Sequence, residues 1–157
     1  MWIVIWPSHG RNDKKRGWRT HFKGLGRERS KKLNVQLGQK ASYERTFTLK
    51  DVELFGELSG DKGVHHVVPD SAGRIMVQGL LTATVPTKLG GDMNYIAREI
   101  RLEFLRPVFV GDTIRAESVI TNVEPGEGHL KLSIEMVCYN QSGKEVLRGE
   151  THGIIRT

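Results

Sequence analysis

Val77-Gln78-Gly79-Leu80-Leu81-Thr82-Ala83-Thr84-Val85-Pro86-Thr87-Lys88-Leu89-Gly90-Gly91-Asp92 is the stretch that decides the fold. From Gln78-Gly79 onward, Leu80, Leu81, Ala83, Val85 and Leu89 put apolar side chains on most sides of a helix. A helix apolar nearly all round is a buried one. Pro86 brings no N–H to the helix ladder, so a kink or a confinement to about two turns is expected. Gly90-Gly91-Asp92 ends the element.

Beyond the helix the chain reads as strand after strand. Ile96, Arg98, Ile100, Leu102 and Phe104 alternate with Ala97, Glu99, Arg101 and Glu103. That is a half-buried strand pattern apart from Arg98. Arg106 to Asp112 is a bend or hairpin connection, and Thr113 to Val123 is the next strand. Glu124 to Gly128 turns the chain. Leu130, Leu132, Ile134, Met136 and Cys138 then form one apolar strand face, Gln141-Ser142-Gly143 is a turn, and Lys144 to Ile155 is the last strand. Strands joined by short turns imply an antiparallel sheet. One buried helix against such a sheet is an α+β domain.

Upstream of the helix, Tyr43 to Thr48 alternates and is a first strand. Thr48 caps a short helix with acids near its start, and Val52, Phe55 and Leu58 share a face at helical spacing. Ser59-Gly60-Asp61 ends it, since Gly60 can turn left-handed. Residues 62–74 are loop, with Pro69, Asp70, Ser71 and Gly73 as turn chemistry.

The chain has 157 residues and a formal charge of +6. That charge is unevenly placed: residues 1–40 hold 11 Lys/Arg against 2 Asp/Glu, and the remainder holds 13 against 16. Residues 1–40 therefore form a basic arm with no helical or strand period, expected to be disordered, and 41–157 form the folded domain. A nucleic-acid role would rest on the arm alone and is not the expected one. A solvated tail is the bland reading. The abrupt change of character near Leu33-Asn34-Val35 favours a third: upstream codons translated from a misassigned start. The single cysteine, Cys138, excludes a disulfide framework and a Cys-based zinc site. The longest apolar run, Trp2 to Trp6, is far too short to span a bilayer. A cytoplasmic protein is expected.

Phe55 to Gly79 carries the candidate chemistry. Asp61 and His66 stand five apart across a turn, so a loop can bring both onto one water as acid–base partners. Gly79 offers a backbone N–H at the positive end of a helix, which suits a carbonyl oxygen gaining charge. These parts fit addition or removal of water beside a thioester, or thioester hydrolysis. Against this, an Asp after Ser-Gly is usually a turn former, and paired histidines are more often structural. Asp61, His65 and His66 have no recognised metal-ligand spacing, so no metal is expected. His129 and His152 fall in strands, and His9 and His21 in the arm. No cofactor fingerprint is present.

Three stretches in residues 43–157 resemble the MaoC-like dehydratases, the hot-dog family that includes (R)-specific enoyl-CoA hydratases. Phe55-Gly56-Glu57-Leu58-Ser59-Gly60-Asp61 through His66 is similar to the hydratase motif, in which Ser-Gly-Asp is followed five residues after the Asp by a His. Val77-Gln78-Gly79-Leu80-Leu81 resembles the start of the central helix. Phe104-Leu105-Arg106-Pro107-Val108-Phe109-Val110-Gly111-Asp112-Thr113 resembles the strand and turn after it. The resemblance implies a curved antiparallel sheet wrapped around one central helix. It also implies homodimers that join two sheets, with an acyl-CoA site at the interface.

By the same resemblance, Asp61 and His66 hold one water for C3 of a trans-2-enoyl thioester, and the Gly79 amide binds the thioester oxygen. His65 and Gln78 are expected beside the substrate. Two positions depart from the family. Gly63-Val64 stands where Asn-Pro is usual, which removes a side-chain brace and loosens the loop. Gln78 stands where His is common.

These parts are compatible with three functions. The preferred one is hydration or dehydration of acyl-CoA thioesters, with an acyl-carrier-protein thioester as a second substrate form. A hot-dog thioesterase and a non-catalytic acyl-CoA-binding module are the alternatives. Arg74, Lys88 and Arg106 are the candidates for the CoA phosphates.

Overall fold

The computed structural model describes residues 35–157. The expected basic arm lies outside them, except for residues 35–40. Of these, Gly38 donates its N–H to the Ile120 carbonyl at 2.8 Å. In chain order the elements are β1 (Lys40–Thr46), α1 (Leu49–Ser59), α2 (Val64–Val67), α3 (Gly79–Asp92), β2 (Ile96–Phe104), β3 (Thr113–Gly126), β4 (His129–Asn140) and β5 (Glu145–Arg156).

The five strands form one antiparallel sheet in the order β1-β3-β4-β5-β2. Laid flat, such a sheet would span about 19 Å at roughly 4.8 Å per strand. That exceeds the roughly 10 Å width of a helix. Yet α3 contacts both edge strands, β1 and β2, as well as β3. The sheet therefore bends around the helix. Phe47, Leu81, Val85, Ile114, Cys138 and Leu147 fill the space between them and are all 5% exposed or less. Burying each large apolar side chain contributes about 1.5–3 kcal/mol.

α3 starts at Gly79 and ends at Asp92, both as expected, and of the two effects considered for Pro86 the confinement to two turns does not occur. Pro86 removes only the bond to the Thr82 carbonyl, and buried Leu81, Val85 and Leu89 hold the helix on both sides of the gap. Leu80 does not share in the burial expected of it: it is 63% exposed. On α1, Thr48 caps as expected. Its hydroxyl accepts from the Asp51 N–H, and the Asp51 carboxylate takes the Thr48 N–H at 2.8 Å. Leu58 departs from the expected face and is 86% exposed. At 3.6 residues per turn it lies about 120° around the helix from Val52, and Gly56 takes the buried place.

β2 is the other departure. Ile96, Ile100 and Phe104 are 43–56% exposed, because β2 is an edge strand and only Leu102 reaches the core. Arg98, which breaks the alternation, sits at a shift of register between Ala97 and Glu99. A side chain on Gly149 or Gly153 of β5 would strike the Arg101 or Ile96 carbonyl, so those glycines let β2 lie close. From β2 the chain crosses to β3 through Arg106–Asp112. That crossing pairs with the approach to α3: Val77 N–H donates to Val108 O at 2.8 Å, and Val110 N–H to Ile75 O at 2.9 Å. The segment carrying Gly79 is thereby fixed.

Candidate active site

Asp61 owes its place to the end of α1. Gly60 turns left-handed, with φ 79°, and returns its N–H to the Gly56 carbonyl. The Ser59 hydroxyl donates to Phe55 O at 2.6 Å and accepts the Asp61 N–H at 3.1 Å. The Ser-Gly-Asp run is thus a helix terminator that aims the Asp.

His66 lies on α2, a single turn inside the stretch expected to be loop. A four-residue turn has no period to read. It forms because His66 N–H reaches Gly63 O and Val68 N–H reaches Val64 O, both at 2.8 Å. His66 is buried, and its Nδ1 stands 2.7 Å from the Met76 carbonyl. A carbonyl only accepts, so Nδ1 carries a proton, and in the neutral ring the lone pair lies at Nε2. That Nε2 faces Asp61 Oδ2 across 3.7 Å. The Asp61 side chain is half exposed, while His66 is closed off on its other faces. Two acceptors therefore converge on one small volume open to solvent, where a water could donate one hydrogen to each.

His66 and Gly79 line the same cavity, about 310 Å³, together with His65, Phe104 and Arg106. Gly79 is the first residue of α3, where the leading N–H groups have no acceptor inside the helix. The Phe104 ring closes on it: a Cβ there would come 3.1–3.3 Å from three ring carbons. Asp61, His66 and Gln78 line a second cavity, of about 720 Å³, on the α1 side. A third, largely apolar cavity of about 370 Å³ lies between α3 and the sheet, lined by Ala83, Thr87, Gly90, Tyr95 and Met136 among others.

The remaining expected residues divide. His65 is exposed, and its ring rests 4.0 Å from that of His66 and directly over Gly63. Gly63 thus makes room for His65: a side chain there would displace the ring. Gln78 is 1% exposed. Its Nε2 donates to Val52 O at 3.1 Å and to Asp61 O at 3.3 Å, contacts that link residues 26 and 17 apart and leave no trace in sequence spacing.

Of the cations, Arg74 pairs with Asp70 and lies 4.0 Å over the Phe109 ring. Lys88 pairs with Asp92. Arg106 bonds the Glu145 carbonyl at the rim of the cavity shared by His66 and Gly79. Burial pushes the Cys138 thiol up to about 12, which removes it as a nucleophile at neutral pH. Among the described residues no group of three His, Cys, Asp or Glu side chains is placed to hold a metal.

A family model described as "MaoC like domain" matches residues 32–137. An (R)-specific enoyl-CoA hydratase of Rhodospirillum rubrum is 28% identical over 74% of this chain and 85% of its own length. The enzyme of the same description from Aeromonas caviae is 29% identical over 74% of this chain and 92% of its own length. The solved (R)-hydratase of A. caviae involved in PHA biosynthesis superposes with a TM-score of 0.70 at 26% identity. It covers 80% of this chain and 99% of that one. The architecture is the hot-dog fold.

Proposed function

The chain belongs to the MaoC-like domain family, and from that premise we propose that it adds water to trans-2-enoyl-CoA thioesters to give (R)-3-hydroxyacyl-CoA, with Asp61 and His66 as the catalytic pair. One observation carries the assignment of residues: the Asp61 carboxylate and the His66 Nε2 lone pair face each other across 3.7 Å, and the Met76 carbonyl fixes the His66 tautomer. A water bridging the two has both hydrogens engaged and a lone pair free. Its oxygen bonds C3 as one O–H breaks toward the pair. The C2–C3 π electrons move onto the thioester oxygen, which the Gly79 N–H and the tip of α3 receive. The proton then passes from the pair to C2, so every atom of the water ends in product. A single donor at such an oxygen is worth about a hundredfold or more in rate.

The acyl chain suits the apolar cavity between α3 and the sheet, and Arg106 is the cation best placed for a CoA phosphate. The exposed Ile96, Ile100 and Phe104 on edge strand β2, with Leu80 beside them, suit a second copy of the chain. We read the protein as a cytoplasmic homodimer. No described helix is long and apolar enough to cross a membrane.

The test is a crotonyl-CoA assay followed at the enoyl absorbance band, with chiral analysis of the product and light scattering for the oligomer. Loss of the band and an (R)-product are expected. Free thiol with crotonate as the product would make it a thioesterase instead, because cleaving the thioester also removes the band, and binding without either reaction would make it a non-catalytic acyl-CoA module.

A further inference from the structure

Both peptide groups of Asp61 are held. Ser59 takes the N–H, and the buried Gln78 side chain donates to the C=O. The second N–H of the same amide goes to Val52 O on α1. The main chain of Gln78 is meanwhile the N-cap of α3, where its carbonyl accepts from the Thr82 N–H at 3.0 Å and the Thr82 hydroxyl at 3.3 Å. Its neighbour is Gly79. One residue therefore joins α1, the Asp61 peptide and the helix tip.

Gly56 supplies the space: a Cβ there would stand 3.3 Å from Asp61 O and 3.5 Å from Gln78 Nε2. Two carbonyl partners dictate which end of the amide carries the hydrogens, and Oε1 is left buried with no partner among the described residues. An unpaired buried acceptor destabilises the fold. An apolar side chain of equal length would avoid that cost but lose the two donated bonds, so the terms largely offset and stability alone does not account for the amide.

We infer that Gln78 is a positioning residue for the reaction proposed above, and the inference rests on that reading. It holds the Asp61 carboxylate against His66 and keeps the pair in register with the Gly79 N–H. It does from α3 what the Gly63-Val64 loop cannot do from within, since neither residue has a polar side chain.

The test uses the full chain. Gln78→Met keeps length and loses both donors; Gln78→His restores one. In Gln78→Met, kcat should fall about tenfold to a hundredfold, the scale of a misplaced catalytic group. KM should stay within about twofold and the melting temperature should change little, because the lost bonds and the removed unpaired acceptor offset each other. Gln78→His should recover most of kcat. The side-chain 15N signals of His66 should move in Gln78→Met and return in Gln78→His. Should Gln78→Met not fold, Gln78→Asn, one methylene short of the Asp61 carbonyl, carries the same expectation.

Wild-type kcat in the donor-free variant overturns the inference. So does a joint fall of kcat and melting temperature with no recovery in Gln78→His, which marks a structural residue only. If the wild-type protein does not hydrate crotonyl-CoA, the functional reading fails separately, and unchanged His66 signals in the variant would sink the positioning role by themselves.

Discussion

The sheet and the segment from Thr48 to Val68 are held by different forces. In β3, β4 and β5, Ile114, Cys138 and Leu147 are fully buried, and many neighbours share the load. Between Thr48 and Val68 only Val52, Gly56 and His66 are buried, and a few side-chain hydrogen bonds set the geometry: Thr48 with Asp51, Ser59 with Phe55 and Asp61, His66 with Met76. The sheet draws its stability from burial and the segment its rate from placement. Mutations should therefore separate the two, costing stability in one region and turnover in the other.

The largest effect should come from the sheet. Leu147→Ala should cost about 2–5 kcal/mol in chemical denaturation, the range for an emptied leucine site, with turnover per folded molecule unchanged. Asp61→Asn should do the reverse, lowering kcat at least about a hundredfold with an unchanged melting temperature. If its turnover matched wild type, Asp61 would leave the mechanism.

Thr48→Ala should cost about 0.5–2 kcal/mol by removing the cap, and the loss should depend on pH. The Thr48 backbone N–H, its hydroxyl and Arg45 hold the Asp51 carboxyl below the usual range. The folded value is depressed, so this stabilisation is present at neutral pH and is lost as pH falls through that value. The gap between wild type and variant should narrow in strong acid, and a constant gap would deny Asp51 its part. Smallest of all, His65→Ala should change kcat by less than about twofold, roughly 0.4 kcal/mol. A much larger loss would transfer the acid–base role to the exposed ring.

Sequence legibility divides along the same line. The Thr48 cap, the strand alternations and the Ser-Gly-Asp terminator are local, and each is present in the structure within a few residues of its expected bounds. The five-residue step from Asp61 to His66 is legible only as a spacing that a turn could close. What closes it is not local: the Met76 carbonyl sits ten residues from His66, and the Gln78 amide seventeen from Asp61. A main-chain carbonyl carries no sequence signature, so neither contact could be anticipated. The exposure of β2 is hidden for another reason. Its alternation records an apolar face truthfully but cannot say whether this chain or another molecule covers it.

Cys138 gives the molecule a built-in reporter. It is the chain's one cysteine, and it sits at the centre of the sheet with no solvent exposure. A thiol reagent can modify it only when the strands part, so the labelling rate measures how often the whole domain opens. Fraying of the Asp61 turn would pass unrecorded. A variant that loses turnover while labelling at the native pace has a damaged workshop inside an intact building.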